Sequence, residues 1–89
     1  MTGRVPAAEQ RSLDAVTQVV RDVLQLDSVR PDDDFFAVGG HSLLILHVIG
    51  ALRTSHRLAL PAVQFGKDAR LSALAAACHE VGPDPSQAP

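Results

Sequence analysis

Apolar residues recur at helical spacing along this chain and almost nowhere alternate, and that periodicity constrains the fold more than any other feature. Leu13, Val16, Val20 and Val23 share one side of a 3.6-residue repeat, with Leu24 beside them, while Arg11, Asp14, Gln18 and Arg21 fall on the other side. A helix is expected over residues 7–26. Pro6 suits a first helical position, and Asp27-Ser28 and Pro31 stop the helix. A second helix begins at or next to Ser42 and reaches about Thr54, with Ile45, Val48, Ile49 and Leu52 as its core stripe and Leu44 flanking it. Residues 60–65 hold one short helical turn, which Gly66 breaks. Asp68 then caps a last helix over residues 69–80, on which Leu71, Leu74, Ala75 and Cys78 form an apolar stripe.

Ala and Leu are abundant and Trp and Tyr are absent, which favours an all-α fold. A chain of 89 residues makes one domain, and a domain that small buries only roughly 60–65% of its unfolded surface. Helices suit such a thin core, because their backbone hydrogen bonds are local. The domain is expected over residues 1–82, with residues 83–89 as a flexible Pro-rich tail. Met1 and the short tails suit a freestanding protein. A domain cut from a longer chain, with residues 82–89 as linker remnant, would look the same.

Ten acidic and eight basic residues give a net charge of −2, the wrong sign for a protein that neutralises nucleic-acid phosphates. The single Cys78 excludes an internal disulfide and fits a reducing compartment. The N-terminal MTGRVPAAEQ lacks the apolar core of a signal peptide. The longest apolar run, residues 43–49, is interrupted by His47 and is too short to span a bilayer. A soluble, cytoplasmic, monomeric domain is expected, with neither nucleic acid nor membrane as partner.

Residues 27–41 form a long loop, and a loop of that length needs an anchor. Its first part, Pro31-Asp32-Asp33-Asp34, is acidic and expected at the surface; its second part contains Phe35 and Phe36, two of the chain's three aromatic residues. One or both rings are expected in the core. Gly39-Gly40 follow, then His41 and Ser42 at the head of the second helix. That helix carries more apolar surface than a core needs. Leu43 and Leu46 point away from the stripe, in the direction of His47 and Gly50, and suggest a docking patch unless a neighbouring loop covers them. From residue 35 to residue 66 there is no Asp or Glu, while Arg53 and Arg57 add positive charge. A partner docking there would meet apolar, mildly basic surface.

Several chemistries for Ser42 fail on the sequence. A nucleophile elbow needs glycine two places after the serine, where Leu44 stands. A triad needs a base and an acid held by a scaffold that a small helical chain scarcely provides. No phosphate-cradling G-x-x-x-x-G-K-[ST] run occurs. His41, His47, His56 and His79 show no i,i+4 pair and no nearby Cys partner, so no metal site is expected. Two readings remain on residue chemistry alone. Ser42 is an ordinary N-cap of a binding-only helical adaptor, or it is an accessible hydroxyl whose phosphoester would sit at the positive end of a helix dipole.

The run Asp33-Asp34-Phe35-Phe36-Ala37-Val38-Gly39-Gly40-His41-Ser42-Leu43-Leu44 resembles the core motif of peptidyl carrier proteins, the thiolation domains of nonribosomal peptide synthetases, roughly D-x-F-F-x-x-G-G-H/D-S-L/I. The resemblance covers residues 7–80 and extends to the order of the helices. It implies a four-helix bundle of the acyl/peptidyl carrier protein type with a short third helix. It also implies a non-catalytic role. Ser42 would receive 4′-phosphopantetheine from coenzyme A through a phosphopantetheinyl transferase, with Gly40 and His41 flanking the site. The thiol of that arm would hold an aminoacyl or peptidyl group for an adenylation enzyme and for condensation, tailoring or thioesterase partners. The alternative is an acyl carrier for a polyketide or fatty-acid-type group. Those relatives usually read G-x-D-S-L and commonly have an acidic second helix, unlike Gly40-His41-Ser42 and the acid-free helix here. One departure from the family pattern is Phe65-Gly66-Lys67-Asp68-Ala69-Arg70-Leu71, where F-x-x-P-T often stands: Asp68 replaces the usual cap, with one extra residue.

Overall fold

A computed structural model describes residues 7–81, so Pro6, Gly82 and the tail expected over 83–89 lie outside the described residues. The element order is α1 (Ala7–Leu24), α2 (Ser42–His56), β1 (Leu58–Ala59), α3 (Gln64–Lys67), α4 (Leu71–Ala77) and β2 (His79–Glu80). The four helices, the third a single turn, are the ones the apolar periodicity requires. The two strands were not legible from it.

Helix α1 buries Val16 and Val20 completely, with Ala15 and Val19 beside them, and leaves Leu13 and Val23 at the edge of the core. It stops two residues earlier than its apolar pattern suggests. Gln25 adopts a left-handed φ of 56°. The Leu26 N–H then donates to the Arg21 carbonyl (2.9 Å) and the Gln25 N–H to the Asp22 carbonyl (3.3 Å), a Schellman closure that satisfies the last carbonyls. Helix α2 runs two residues beyond expectation and ends on Arg57, also left-handed, whose N–H donates to the Leu52 carbonyl. Val48 and Leu52 are its fully buried residues, and Leu44, Ile45 and Ile49 pack partly against the core.

The loop between α1 and α2 is held by the start of α4. Its Pro31 and Asp33 carbonyls accept the Ser72 (2.8 Å) and Leu71 (3.0 Å) N–H groups, and the Phe35 N–H donates to the Ala69 carbonyl (2.9 Å). The first N–H groups of a helix have no partner within it; here loop carbonyls satisfy two of them in place of a side-chain cap. This pairing, an antiparallel bridge of Asp34 with Arg70, holds Arg70 in extended conformation and delays α4 to Leu71. Asp68 is therefore not the N-cap of α4. It closes α3, its own N–H donating to the Gln64 carbonyl, and its carboxylate accepts the Arg70 N–H (3.1 Å) and pairs with the Arg70 guanidinium (2.6 Å). That guanidinium holds the Asp68 carboxyl down to about 2. Nor does Gly66 break the short turn, since it lies inside α3, whose Phe65 is buried. The acidic stretch is only partly at the surface. Asp33 and Asp34 are half-buried, and the Asp33 carboxylate accepts the Arg30 N–H (2.8 Å).

Helix α4 ends at Ala77, three residues short of the expected end. His79–Glu80 instead pair antiparallel with Leu58–Ala59, Leu58 opposite Glu80, and the Val81 N–H donates to the Arg57 carbonyl (2.8 Å). This pairing couples segments 21 residues apart, so no local propensity announces it. Leu71, Leu74 and Ala75 are buried, and Cys78, the residue after α4, is half-buried.

Phe35 is 0% exposed at the centre of the core and meets the Phe65 ring edge-on at 5.1 Å; Phe36 is 45% exposed and touches only the outer edge of Phe35 at 5.4 Å. One ring anchors the loop, not both. Phe35→Ala should therefore cost about 3–5 kcal/mol, a large share of the stability of a domain this small. Phe36→Ala should cost no more than the pair contact, about 0.5–1.5 kcal/mol. Urea unfolding of the two variants checks this, and equal losses would contradict it.

Burial pushes the Cys78 thiol up from its ordinary 9.0 to about 11. The folded chain keeps this proton where the unfolded chain releases it. The stability so contributed is present below pH 9 and is lost as pH rises towards 11. Iodoacetamide at pH 8 should alkylate Cys78 much more slowly in the folded protein than in urea. Equal rates would place the thiol in water.

Candidate functional site

The residues that present Ser42 are arranged by one tight turn. The Asp34 carboxylate accepts the N–H groups of Phe36 (2.9 Å) and Ala37 (3.1 Å), and the Asp34 carbonyl accepts that of Val38 (3.1 Å). The Gly39 N–H then donates to the Phe36 carbonyl (3.2 Å) and the Gly40 N–H to the Phe35 carbonyl (2.9 Å). The two glycines serve different ends. Gly39 has φ +110°, which side chains with a Cβ rarely adopt. Gly40 lies against the face of the Phe35 ring, where a Cβ would fall far inside contact distance of three ring carbons. The buried ring thus fixes how closely the turn approaches the core.

The turn delivers an extended His41 (φ −152°, ψ 179°) as the N-cap of α2, its carbonyl accepting the Ile45 N–H (3.0 Å). Ser42 is the first helical residue. The ordinary reading of a helix-start serine, a side chain that caps the backbone, does not hold, because the cap position belongs to His41 and has no side-chain hydrogen bond. Ser42 is exposed, and its hydroxyl has no hydrogen-bond partner among the described residues. Among the described residues no hydrogen bond links it to a histidine or carboxylate that would make it a nucleophile for hydrolysis. It projects at the N-terminal end of a 15-residue helix, where backbone dipoles favour an anionic ester.

Beyond Ser42, the outward face of α2 is open. Leu43 is 59% and Leu46 64% exposed, His47 and Gly50 are exposed, and no loop covers them. No side-chain or backbone neighbour lies within 4 Å of the position a Gly50 Cβ would take. Two exposed apolar residues outside α2, Phe36 and Val63, escape a reading from apolar periodicity alone, while Arg53, which the sequence marks as adding positive charge, is exposed. Among the described residues no helix is long and apolar enough to cross a membrane, and no cluster of His, Cys, Asp or Glu is placed to hold a metal ion.

Comparison with known proteins agrees with this geometry. The family model described as "Phosphopantetheine attachment site" matches residues 14–78, which include the whole turn and α2. A probable non-canonical nonribosomal peptide synthetase of Salinispora arenicola is 42% identical over 59 residues, 66% of this chain and 1% of that protein. The nonribosomal peptide synthetase verP of Clonostachys rogersoniana is 39% identical over 72 residues, 75% of this chain and 4% of that protein. The chain thus spans only a few per cent of the length of these curated relatives. A solved non-ribosomal PCP domain superposes with a TM-score of 0.75 at 35% identity, covering 89% of this chain and 99% of that one. A peptidyl carrier protein solved with the transferase Sfp and coenzyme A shares the fold (TM-score 0.65, 22% identity, 85% of this chain and 94% of that one). The cofactor of such a domain is covalent 4′-phosphopantetheine, and its role is to carry, not to catalyse. An exposed hydroxyl at a helix start, with no hydrogen-bond partner among the described residues, suits an anionic ester of that kind. On the turn, the helix and the matched length together, this chain belongs to the phosphopantetheine attachment-site family, as a peptidyl carrier protein.

Proposed function

We propose that Ser42 is the attachment point and that the chain presents an aminoacyl or peptidyl group to the enzymes of nonribosomal peptide synthesis. The observation that carries this reading is the Ser42 hydroxyl itself. It is exposed, unbonded, and held outward by a turn that costs two special glycines and a buried ring. A fold does not maintain such a turn to expose an idle serine. A phosphopantetheinyl transferase forms the new phosphoester bond at the Ser42 oxygen as the pyrophosphate bond of coenzyme A breaks, adenosine 3′,5′-bisphosphate leaves, and the hydroxyl proton passes to a base. The arm supplies a terminal thiol on which cargo is held as a thioester. The chain's own part is to fix the base of the arm. Cys78 takes no part, since it is half-buried and its thiol stays protonated.

The remaining partners are proposed from the likeness to nonribosomal peptide synthetases. An adenylating enzyme loads the arm, and condensation, tailoring or thioesterase enzymes receive from it. They dock on the open face formed by Leu43, Leu46, His47 and Gly50. The acid-free α2 favours the peptidyl over the polyketide or fatty-acid branch. A single cysteine with no internal disulfide fits a reducing compartment such as the cytoplasm.

Incubation with coenzyme A and a broad-specificity transferase should add one phosphopantetheine by intact mass, and Ser42→Ala should add none. Modification surviving in that variant would move the site elsewhere. A loading screen with purified adenylating enzymes then identifies the cargo class. Leu46→Glu should leave stability within about 0.5 kcal/mol, as at other surface positions, and should slow loading strongly, because an unpaired charge buried at an interface is costly. Loading at the wild-type rate would place the docking face elsewhere.

A further inference from the structure

The outward face of α2 carries charge as well as leucine, and the charge has one sign. At 3.6 residues per turn, Arg53 lies almost directly behind Leu46, roughly 10 Å further along the axis. Gly50 occupies the turn between them and leaves a shallow opening with nothing within 4 Å of its Cβ direction. His47 and Thr54 flank the same side, and Arg57 follows at the helix end. The ion pairs among the described residues use Arg11 with Glu80, Arg21 with Asp22 and Arg70 with Asp68. Arg53 and Arg57 have no acidic partner among the described residues, and both are exposed. All ten carboxylates of a chain with net charge −2 fall outside residues 35–66. The protein is thus acidic as a whole but presents an uncompensated basic end on its docking helix.

We infer that the enzyme which loads this carrier meets α2 with an apolar pocket for Leu43 and Leu46 and, from about two helical turns beyond Leu46, a rim of Asp or Glu side chains that pairs with Arg53 and Arg57. The inference rests on the docking reading given above and adds the partner's chemistry to it. Leucines set the closeness of contact; the two guanidinium groups orient the carrier along the helix axis. Without that second contact, an apolar pair near one helix end would leave rotation about the docking point poorly fixed. Charges at an interface rim act mainly on encounter rate and register, and the effect is screened by salt.

The test uses holo-protein and the adenylating enzyme found by the loading screen, with loading kcat/KM measured at 20 mM and 500 mM KCl. Arg53→Glu/Arg57→Glu is compared with Arg21→Glu/Arg30→Glu, which changes net charge equally at exposed positions outside α2, and with Leu46→Glu. The expected result is a loss of about tenfold or more at low salt for the α2 pair, within the range of electrostatic steering, shrinking to less than about twofold at high salt. The control pair should load at close to the wild-type rate. A deficit that persists at 500 mM, or that the control pair shares, overturns the acidic rim, as does faster loading by the Glu variant. If the α2 pair loads normally while Leu46→Glu does not, the docking face stands and the acidic rim falls. If neither variant is impaired, the docking face itself is wrong. Circular dichroism melting guards against misfolding. Should the Glu pair be unstable, Arg53→Gln should show a smaller deficit with the same salt dependence, and a salt-independent deficit there would also overturn the proposal.

Discussion

The ring of Phe35 is the contact on which the remaining structure depends. It is fully buried, stacked edge-on against Phe65 of α3, and overlain by Gly40. Its own N–H donates to the Ala69 carbonyl ahead of α4. One residue therefore joins the long loop, the short third helix, the last helix and the turn before Ser42. A thin core buries too little surface to tolerate a loose 17-residue connection. Here the connection is converted into a fixed element, and the serine inherits that rigidity.

Helix α2 has two apolar faces, of which the domain buries one. Val48 and Leu52 are buried on one side, while Leu43 and Leu46 stand in solvent on the other. A helix apolar on nearly every side normally lies inside a larger core. On a domain of this size the second apolar face has no core to join, so it remains available to a partner. Ser42 and the exposed leucines consequently share one rigid body. With the proposed attachment at Ser42, an arm rooted in α2 would move with that face, tying delivery of cargo to docking.

Much of this was legible in residue order. The stripes of α1 and α2 followed from spacing, as did the exposure of Leu43, Leu46, His47 and Gly50. The Gly-Gly-His-Ser run marked the turn, since helix-start chemistry is local. Elsewhere the local signals misled for a common reason. Asp68 has the chemistry of an N-cap, yet the loop carbonyls of Pro31 and Asp33 reached the first N–H groups of α4 before any side chain was needed. Residues 78–81 continue a helical pattern, yet Arg57 and Leu58 offered backbone partners that a helix end could not match.

Phe35 and Phe36 state the division most sharply. Sequence alone determined that aromatic residues would hold the loop, that a helix would start beside Ser42, and that α2 would carry an apolar, acid-free outer face. Only the tertiary structure decided which ring points inward. The two rings stand on successive residues of one turn, so which of them points inward depends on how the loop is registered against Ala69, Arg70 and Leu71. That register is a long-range hydrogen-bonding pattern. It reverses the roles of two identical neighbours without any difference in their side chains, and composition and periodicity cannot contain it.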